Sequence, residues 1–110
     1  MLGEEIAEKY LQKKKFKIAE KRFRLYRGEI DLIGYDKSTL VFIEVKTRNP
    51  AALGLPEESV NVRKQGQIKK IAEGYLALKG IDDVECRFDV ISIIFDEDGG
   101  YALTHYEDAF

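Results

Sequence analysis

The sequence predicts an α/β protein in which a mixed β-sheet of about five strands is flanked by two main helices. Apolar residues recur at three- and four-residue steps over residues 2–15 and again over 60–79, which is typical of amphipathic helices. Short runs rich in β-branched and aromatic residues lie between and after these segments. A right-handed crossover through residues 39–95 would make strand 87–95 parallel to strand 39–47.

Each predicted helix carries one charged residue that can point towards the sheet. Glu4 lies on the rim of the first apolar stripe, although a favourable charge at the helix N-terminus is an alternative role. Lys64 lies on the second stripe and can reach back over the sheet or extend to solvent. Gly80 is a suitable stop for the second helix. The two stripes consist of Leu2, Ile6, Ala7, Tyr10 and Leu11, and of Ile68, Ile71, Ala72, Tyr75 and Leu76.

The chain is organised around residues 28–48, which are predicted to form a β-hairpin. Two apolar runs flank a polar Asp-Lys-Ser break. If the loop is short and centred on this break, Asp31 lies opposite Glu44, and Glu29 lies opposite Lys46. These four side chains then share one face of the sheet, because strand residues alternate between faces. The reverse face is predicted to carry Ile30, Leu32, Val41, Ile43 and Val45.

The predicted pairing places two carboxylates against each other. Asp31 and Glu44 in this position would be destabilising, by about 4 kcal/mol at a separation of about 4 Å and an effective dielectric constant of about 20. With Glu29 and Lys46, three carboxylates and one ammonium group leave a net charge of −2. This charge suits a hard divalent cation with oxygen ligands. Solvent exposure of some carboxylates, or a shared proton, is the alternative, and the pattern leaves both open.

An Asp on one strand, followed on the next by Glu-x-Lys, resembles the PD-(D/E)xK nuclease motif. The blocks GEIDLIGYD, LVFIEVKTR and RFDVI resemble, more narrowly, the YraN-like (UPF0102) family of predicted endonucleases, which is similar to archaeal Holliday-junction resolvases. The likeness extends from GEEIAEKYL near the start to HYEDAF at the end. It implies one nuclease-like domain over residues 1–110 with a restriction-endonuclease-like core.

The resemblance implies metal-dependent hydrolysis of nucleic-acid phosphodiesters, of DNA and, by family analogy, of branched DNA. Asp31 and Glu44, helped by the Val45 carbonyl, would hold Mg²⁺ or Mn²⁺, which polarises the phosphate and lowers the pKa of an attacking water. Lys46 would orient that water or stabilise the developing charge. Two further acids would complete an outer shell or a second metal site, namely Glu29 and Glu4.

Charge is distributed unevenly along the chain. Residues 1–27 carry nine Lys or Arg against four Asp or Glu, whereas the whole chain has a net charge of −2. Residues 20–27 alternate cations with aromatic or aliphatic side chains, which suits contact with a nucleic-acid backbone. A basic edge strand protected against aggregation is the alternative. The resembling family usually has Asn at the position of Arg22. The predicted nucleic-acid contacts are Arg22, Arg24, Arg27, Arg48, Lys64 and Gln67.

Several observations limit where and how the chain acts. No apolar run approaches the roughly 18 residues of a membrane span, and no signal-peptide pattern opens the chain, so a cytoplasmic protein without membrane association is predicted. The single cysteine, Cys86, excludes an internal disulfide and is predicted to be inert. Asp89 is predicted to pair with a nearby cation, and His105 to be structural, without an obvious partner. A homodimer is consistent with the resemblance, because resolvase-like enzymes cut paired strands as dimers.

Two other classes of function remain open at this level. The chain can be a nucleic-acid-binding module with little or no cleavage activity, or a protein-partner-binding domain whose hairpin charges form only salt bridges. Salt-sensitive DNA binding separates these two, and metal-dependent cleavage separates the nuclease from both. Residues 49–59 form a predicted loop with two prolines beside the candidate site, where loops often contact substrate.

Overall fold

The computed structural model of this chain describes residues 2–49 and 60–110. The strands form one sheet in chain order, in which β3 and β4 are parallel and the other neighbours antiparallel. The predicted α/β fold class and its parallel pair are confirmed. The predicted loop, apart from Asn49, lies outside the described residues. The elements are α1 (Leu2–Lys13), β1 (Lys17–Leu25), β2 (Gly28–Asp36), β3 (Thr39–Arg48), α2 (Val62–Lys79), β4 (Cys86–Phe95) and β5 (Tyr101–Tyr106).

The two helices cover opposite faces of the sheet. Phe42 belongs to the apolar cluster under α2 and its neighbour Ile43 to the cluster under α1, because successive strand residues point to opposite faces. The predicted stripe of α2 is buried in the first cluster, with Leu76 at its edge. The prediction that Leu2 belongs to the buried stripe of α1 is wrong. Leu2 is 61% exposed, and the buried residue of that turn is Gly3.

Both helices end where a left-handed residue turns the chain. α1 ends at Lys13, two residues before the predicted end, because Lys15 has a φ of 71° and the next amide, that of Phe16, donates to the Leu11 carbonyl at 3.0 Å. α2 ends at Lys79, and the predicted stop, Gly80, follows it with a φ of 63° that glycine adopts without strain. Its first turn is capped by Asn61.

The hairpin has the predicted register. Leu32 pairs with Ile43 and Asp36 with Thr39, and the register is constant between them. The next position along would place Asp31 opposite Glu44. Ile43 is fully buried, as predicted, whereas Val45 is only partly buried. The hairpin therefore brings the predicted acidic pair to the end of the sheet at which the regular β2–β3 pairing stops.

Regular alternation is interrupted at Arg22 and Asp31, which the β1–β2 register from Glu20 to Leu25 places across from each other. Ile30 lies in the cluster under α2 together with Ile33, although residues three apart on a regular strand point to opposite faces. The prediction that Ile30 lies on the reverse face is therefore wrong. Arg22 has a φ of 52°, so β1 is irregular at the same place as β2. Since Ile30 faces α2, its neighbour Glu29 faces α1, so the prediction that Glu29 shares a face with Glu44 and Lys46 is wrong.

Asp89 of β4 is fully buried and accepts hydrogen bonds on both oxygens. Arg87 donates from Nε to Oδ1 at 2.9 Å and from an Nη to Oδ2 at 3.0 Å, and the Asp108 amide donates to Oδ1 at 3.0 Å. Nε2 of His105 lies 2.7 Å from Oδ2, and Nδ1 of His105 lies 3.1 Å from the Tyr10 hydroxyl. The predicted pairing of Asp89 with a cation is confirmed. The expectation that His105 lacks a partner is wrong, because the fold joins three distant segments here.

Among the described residues, no helix is both long and apolar enough to cross a membrane.

Cys86 is a free, exposed thiol. Partial burial raises the pKa of this thiol, which is the wrong direction for a reactive nucleophile.

Candidate functional site

Three carboxylates from two elements come together at the end of the sheet. Glu4 of α1 and Glu29 and Asp31 of β2 each offer an oxygen, and these atoms lie within 4.8 Å of one another. Gly3 is what lets α1 approach so closely, because a Cβ at this position would collide with Cγ2 of Thr47 on β3. The side chain of Glu4 is only 17% exposed, so it points inward from the rim of the helix, as one of its two predicted roles requires.

Asp31 lies at the centre of the arrangement. Its Oδ2 accepts a hydrogen bond from the Val45 amide at 2.8 Å. Desolvation by burial raises the pKa of Asp31 to about 8, and a hydrogen bond and negative charge from Glu44 add to this effect. The charge of Glu4 acts in the same direction, whereas the Val45 amide opposes it. In the absence of a cation, the raised pKa favours the protonated form of Asp31, which corresponds to the shared proton that the sequence left open.

Glu44 approaches Asp31 from the α2 side of the sheet, since it shares a face with Phe42. Its side chain is 12% exposed and lies 3.4 Å from Nζ of Lys64, measured to Oε2. Lys64 thus reaches back over the sheet, which is one of its two predicted orientations. Asp31 joins two groups of acids, with Glu44 on one side and the pair formed by Glu4 and Glu29 on the other.

Most predicted nucleic-acid contacts border this acidic site. Lys46 and Arg48 line the same cleft as Glu44 and Lys64. An adjoining cleft is lined by Glu29 and by Lys64, which both clefts share, together with three further predicted contacts, namely Arg24, Arg27 and Gln67. Arg22 lies in a separate groove beside Glu4. The fold therefore brings cations from β1, β3 and α2 around one set of carboxylates.

Three of these cations already pair with the carboxylates of the site. Nε of Arg22 lies 2.9 Å from Oε1 of Glu4, and Nε of Arg24 lies 3.7 Å from Oε2 of Glu29. Lys64 forms the third pair, with Glu44. These pairs were not predicted from the sequence. The Arg24–Glu29 pair could have been predicted from the sequence, because the two residues lie opposite each other on neighbouring antiparallel strands.

Sequence comparison identifies the family. The family model described as "Uncharacterised protein family UPF0102" matches residues 3–93, which include all the predicted site residues. The chain belongs to the UPF0102 family. It is 44% identical over 113 residues to a UPF0102 protein of Chlorobium phaeobacteroides, with 98% of this chain and 89% of the relative covered. A UPF0102 protein of Geobacter sulfurreducens is 42% identical over 108 residues, with 98% and 84% covered.

A third UPF0102 protein, from Caldanaerobacter subterraneus, is 48% identical over 92 residues, with 84% of this chain and 75% of the relative covered. The predicted family resemblance is confirmed. Because membership in a family does not by itself establish a reaction, the function of this UPF0102 protein has to be argued from its site.

The donor set of this UPF0102 protein fits a hard divalent cation. Its ligand atoms are carboxylate oxygens, and no His or Cys belongs to the group of three acids found among the described residues. Mg²⁺ binds oxygen at about 2.0–2.1 Å, so ligands on opposite sides of the ion lie about 4 Å apart. Small side-chain rotations from the present 4.8 Å limit would therefore be enough for Glu4, Glu29 and Asp31. Of the ligands predicted on β3, Glu44 hydrogen-bonds to Asp31, and Val45 contacts Asp31 through its amide.

Proposed function

We propose that this UPF0102 protein is a divalent-metal-dependent endonuclease that hydrolyses phosphodiester bonds of DNA. One observation carries the proposal. A half-buried Asp31, with a pKa raised to about 8, lies among three further carboxylates that are bordered by basic side chains. Carboxylates that repel one another bind a cation, and basic borders bind the phosphates that the cation also attracts. Both parts are needed for metal-assisted phosphodiester hydrolysis.

In this proposal the carboxylates hold Mg²⁺ or Mn²⁺, with Asp31 as the central ligand. Glu44 and the Val45 carbonyl would contribute from β3, and Glu29 and Glu4 from the opposite side. The bound metal would polarise the phosphate and lower the pKa of the attacking water. The cation must replace the proton of Asp31, so the site is ready to bind metal once that proton is lost.

Lys46 is the proposed catalytic cation of the site. It lies two residues after Glu44 on β3 and lines the same cleft. An ammonium group there can orient the attacking water or stabilise charge that develops on the phosphate. The other predicted contacts would position the backbone of the nucleic acid. Arg24, Arg27 and Gln67 would act in one cleft and Arg48 in the other, with Lys64 between them.

The same proposal extends to the setting of the protein. The exposed free thiol of Cys86 suits a reducing compartment such as the cytoplasm. We propose a single nuclease domain, and a homodimer where two strands of a branched DNA are cut. A nucleic-acid-binding module with little cleavage is the second candidate, because the basic borders would serve binding without any metal chemistry.

The test is cleavage of a panel of labelled branched, nicked, single-stranded and duplex DNA, with an RNA strand for comparison, in Mg²⁺, Mn²⁺ or EDTA. We expect metal-dependent cleavage of at least one DNA and its loss in Asp31→Asn and in Lys46→Met. Asp98→Asn, an equivalent change at an exposed position in the β4–β5 turn, is the matched control and should retain activity. Cleavage that survives Asp31→Asn, or that proceeds equally in EDTA, contradicts the proposal. Salt-sensitive binding without cleavage would favour the binding module.

A further inference from the structure

The three ion pairs at the site share one asymmetry. The carboxylates are the more buried partners, with side-chain exposures of 17% for Glu4, 12% for Glu44 and 33% for Glu29. Their partners are far more exposed, at 46% for Arg22 and 45% for Lys64. Arg24 is the most exposed of the three cations, at 75%, and its pair with Glu29 is the longest. Pairs in which the cation is this exposed are weak. The cations are therefore the more solvent-accessible partner of each pair and can leave more readily than the acids.

Each of these cations faces two classes of anion. Lys64 and Arg24 border the clefts assigned above to the phosphates of a nucleic acid, and Arg22 borders Glu4 at the edge of the same site. A guanidinium or ammonium group that neutralises a carboxylate is less available to a phosphate. A divalent cation bound to the carboxylates removes the charge that holds these side chains.

We propose that Arg22, Arg24 and Lys64 exchange partners at this site. They neutralise Glu4, Glu29 and Glu44 when no divalent cation is bound, and they contact phosphates when one is. This inference rests on the proposed function. Metal binding then increases the affinity for nucleic acid, and nucleic acid increases the affinity for metal by the same factor, because coupling between two binding events is reciprocal.

The first measurement is the affinity of the protein for a fluorescent DNA oligonucleotide in EDTA and in Ca²⁺, an oxygen-binding divalent cation, over a range of salt concentrations. We expect about tenfold tighter binding in Ca²⁺ or more. The slope of log affinity against log salt should become steeper by about 0.7–0.9 for each additional phosphate that the protein neutralises. Asp31→Asn corrects for the general competition between Ca²⁺ and the protein for phosphates, because the variant experiences that competition without the metal site.

Single substitutions then separate exchanging cations from permanent phosphate ligands. Arg22→Gln, Arg24→Gln and Lys64→Gln should weaken binding in Ca²⁺ by several-fold and change it little in EDTA. Arg27→Gln is the matched control, because Arg27 lines the same cleft without an ion pair among the described residues, and it should weaken binding equally in both conditions. Lys79 pairs with Glu20 away from the site, so Lys79→Gln should weaken DNA binding neither in Ca²⁺ nor in EDTA.

Two outcomes would overturn the inference in distinguishable ways. If Ca²⁺ and Mg²⁺ both leave the melting temperature of the protein unchanged, no metal is bound, and the proposed function fails together with the exchange. If the metal raises the melting temperature, but the three glutamine variants weaken binding equally in Ca²⁺ and EDTA, the metal site stands. In that second case the cations bind phosphates permanently and the exchange is wrong.

Discussion

Asp31 and Asp89 are two aspartates on the strands that flank β3, and their surroundings have opposite charge. Asp89 receives the guanidinium of Arg87, the ring of His105 and a backbone amide, which together use both of its oxygens. Asp31 receives one backbone amide and otherwise faces carboxylates. Arg22, Arg24 and Lys64 form ion pairs with Glu4, Glu29 and Glu44 rather than with Asp31.

The comparison shows that partners decide whether the desolvation that both aspartates experience is opposed or reinforced. Desolvation acts on both aspartates and by itself raises the pKa of either. At Asp89 the bonds from His105, Arg87 and the Asp108 amide outweigh it, so the pKa falls below its ordinary value. At Asp31 the neighbouring acids add to it, and the pKa rises to about 8. A carboxylate whose two oxygens both accept hydrogen bonds stabilises the fold. A carboxylate that is surrounded mainly by other acids is suited to binding a cation.

The largest expected effect is at Asp89. Asp89→Asn removes a buried negative charge and leaves Arg87 without its main partner, so we expect the free energy of unfolding to fall by about 3–5 kcal/mol. Urea denaturation measures this loss. Asp98→Asn, an exposed aspartate, should change stability by less than about 0.5 kcal/mol. A neutral result at Asp89 would remove the contrast between the two aspartates.

The next effect concerns β3, the strand between them. Ile43→Ala creates a cavity in the fully buried cluster under α1 and should reduce the free energy of unfolding by about 2–5 kcal/mol. Thr47→Ala, at an exposed position on the same strand, is the control and should be tolerated much better. An Ile43→Ala protein that melts at the parent temperature would be inconsistent with the hairpin register, and with the clustering of acids that depends on it.

At Asp31 the expected change has the opposite sign from that at Asp89. Asp31→Asn should leave the metal-free protein equally stable or more stable, because an acid is removed from among acids. Millimolar Mg²⁺ or Mn²⁺ should raise the melting temperature of the parent by mass action and leave the variant unchanged. Calorimetric melts in EDTA and in metal measure both effects. A variant that is less stable in EDTA, beside a parent indifferent to metal, would show that Asp31 is only a salt-bridge residue.

A dependence on pH is the last expected effect, again of opposite sign at the two sites. The folded pKa of Asp31 is raised from 3.8 to about 8, so the folded state holds a proton that the unfolded state releases. Its contribution to stability is complete below pH 3.8 and is lost as the pH rises towards 8. The lowered pKa of Asp89 gives stability above pH 3.8 that is lost as the pH falls through its folded value.

Unfolding experiments on the parent and Asp31→Asn between about pH 4 and 9, in EDTA, isolate the first contribution. The stability of the variant relative to the parent should increase with pH and level off above about pH 8. The metal-induced shift in melting temperature of the parent should increase over the same range, because the cation replaces a proton. A difference between the two proteins that is constant with pH would contradict the raised pKa.

Local patterns predicted most of the fold. Alternation and a short polar break were enough for the register of the hairpin, and the handedness of crossovers was enough for the parallel pair. The face of Ile30 was predicted wrongly because an arginine with a positive φ, here Arg22, leaves no mark in the sequence. The contacts of His105 were missed because Tyr10 and Asp89 are far from it in the chain, and only the tertiary arrangement brings them together.

The sequence predicted which acids form the candidate site, but it did not predict which cations pair with them. Asp31 and Glu44 follow from strand pairing alone, and Glu4 lies on the inward rim of an amphipathic helix. The pairs of Arg22 with Glu4 and of Lys64 with Glu44 each join a helix to a strand, and no local rule fixes such a contact. Long flexible side chains choose among several nearby anions, which only the packed structure reveals.

The hairpin and the parallel pair differ in the length of chain that each must close. β2 and β3 are joined by a two-residue connection, whereas β3 and β4 are separated by residues 49–85. Short connections close sooner, because the entropy cost and the search time grow with loop length. Glu29, Asp31 and Glu44 are therefore expected to meet early in folding, before β4 arrives and before Tyr10 and His105 join α1 to β5. The hairpin would thus bring its three carboxylates together early, and a divalent cation or a mildly acidic solution would help it to form.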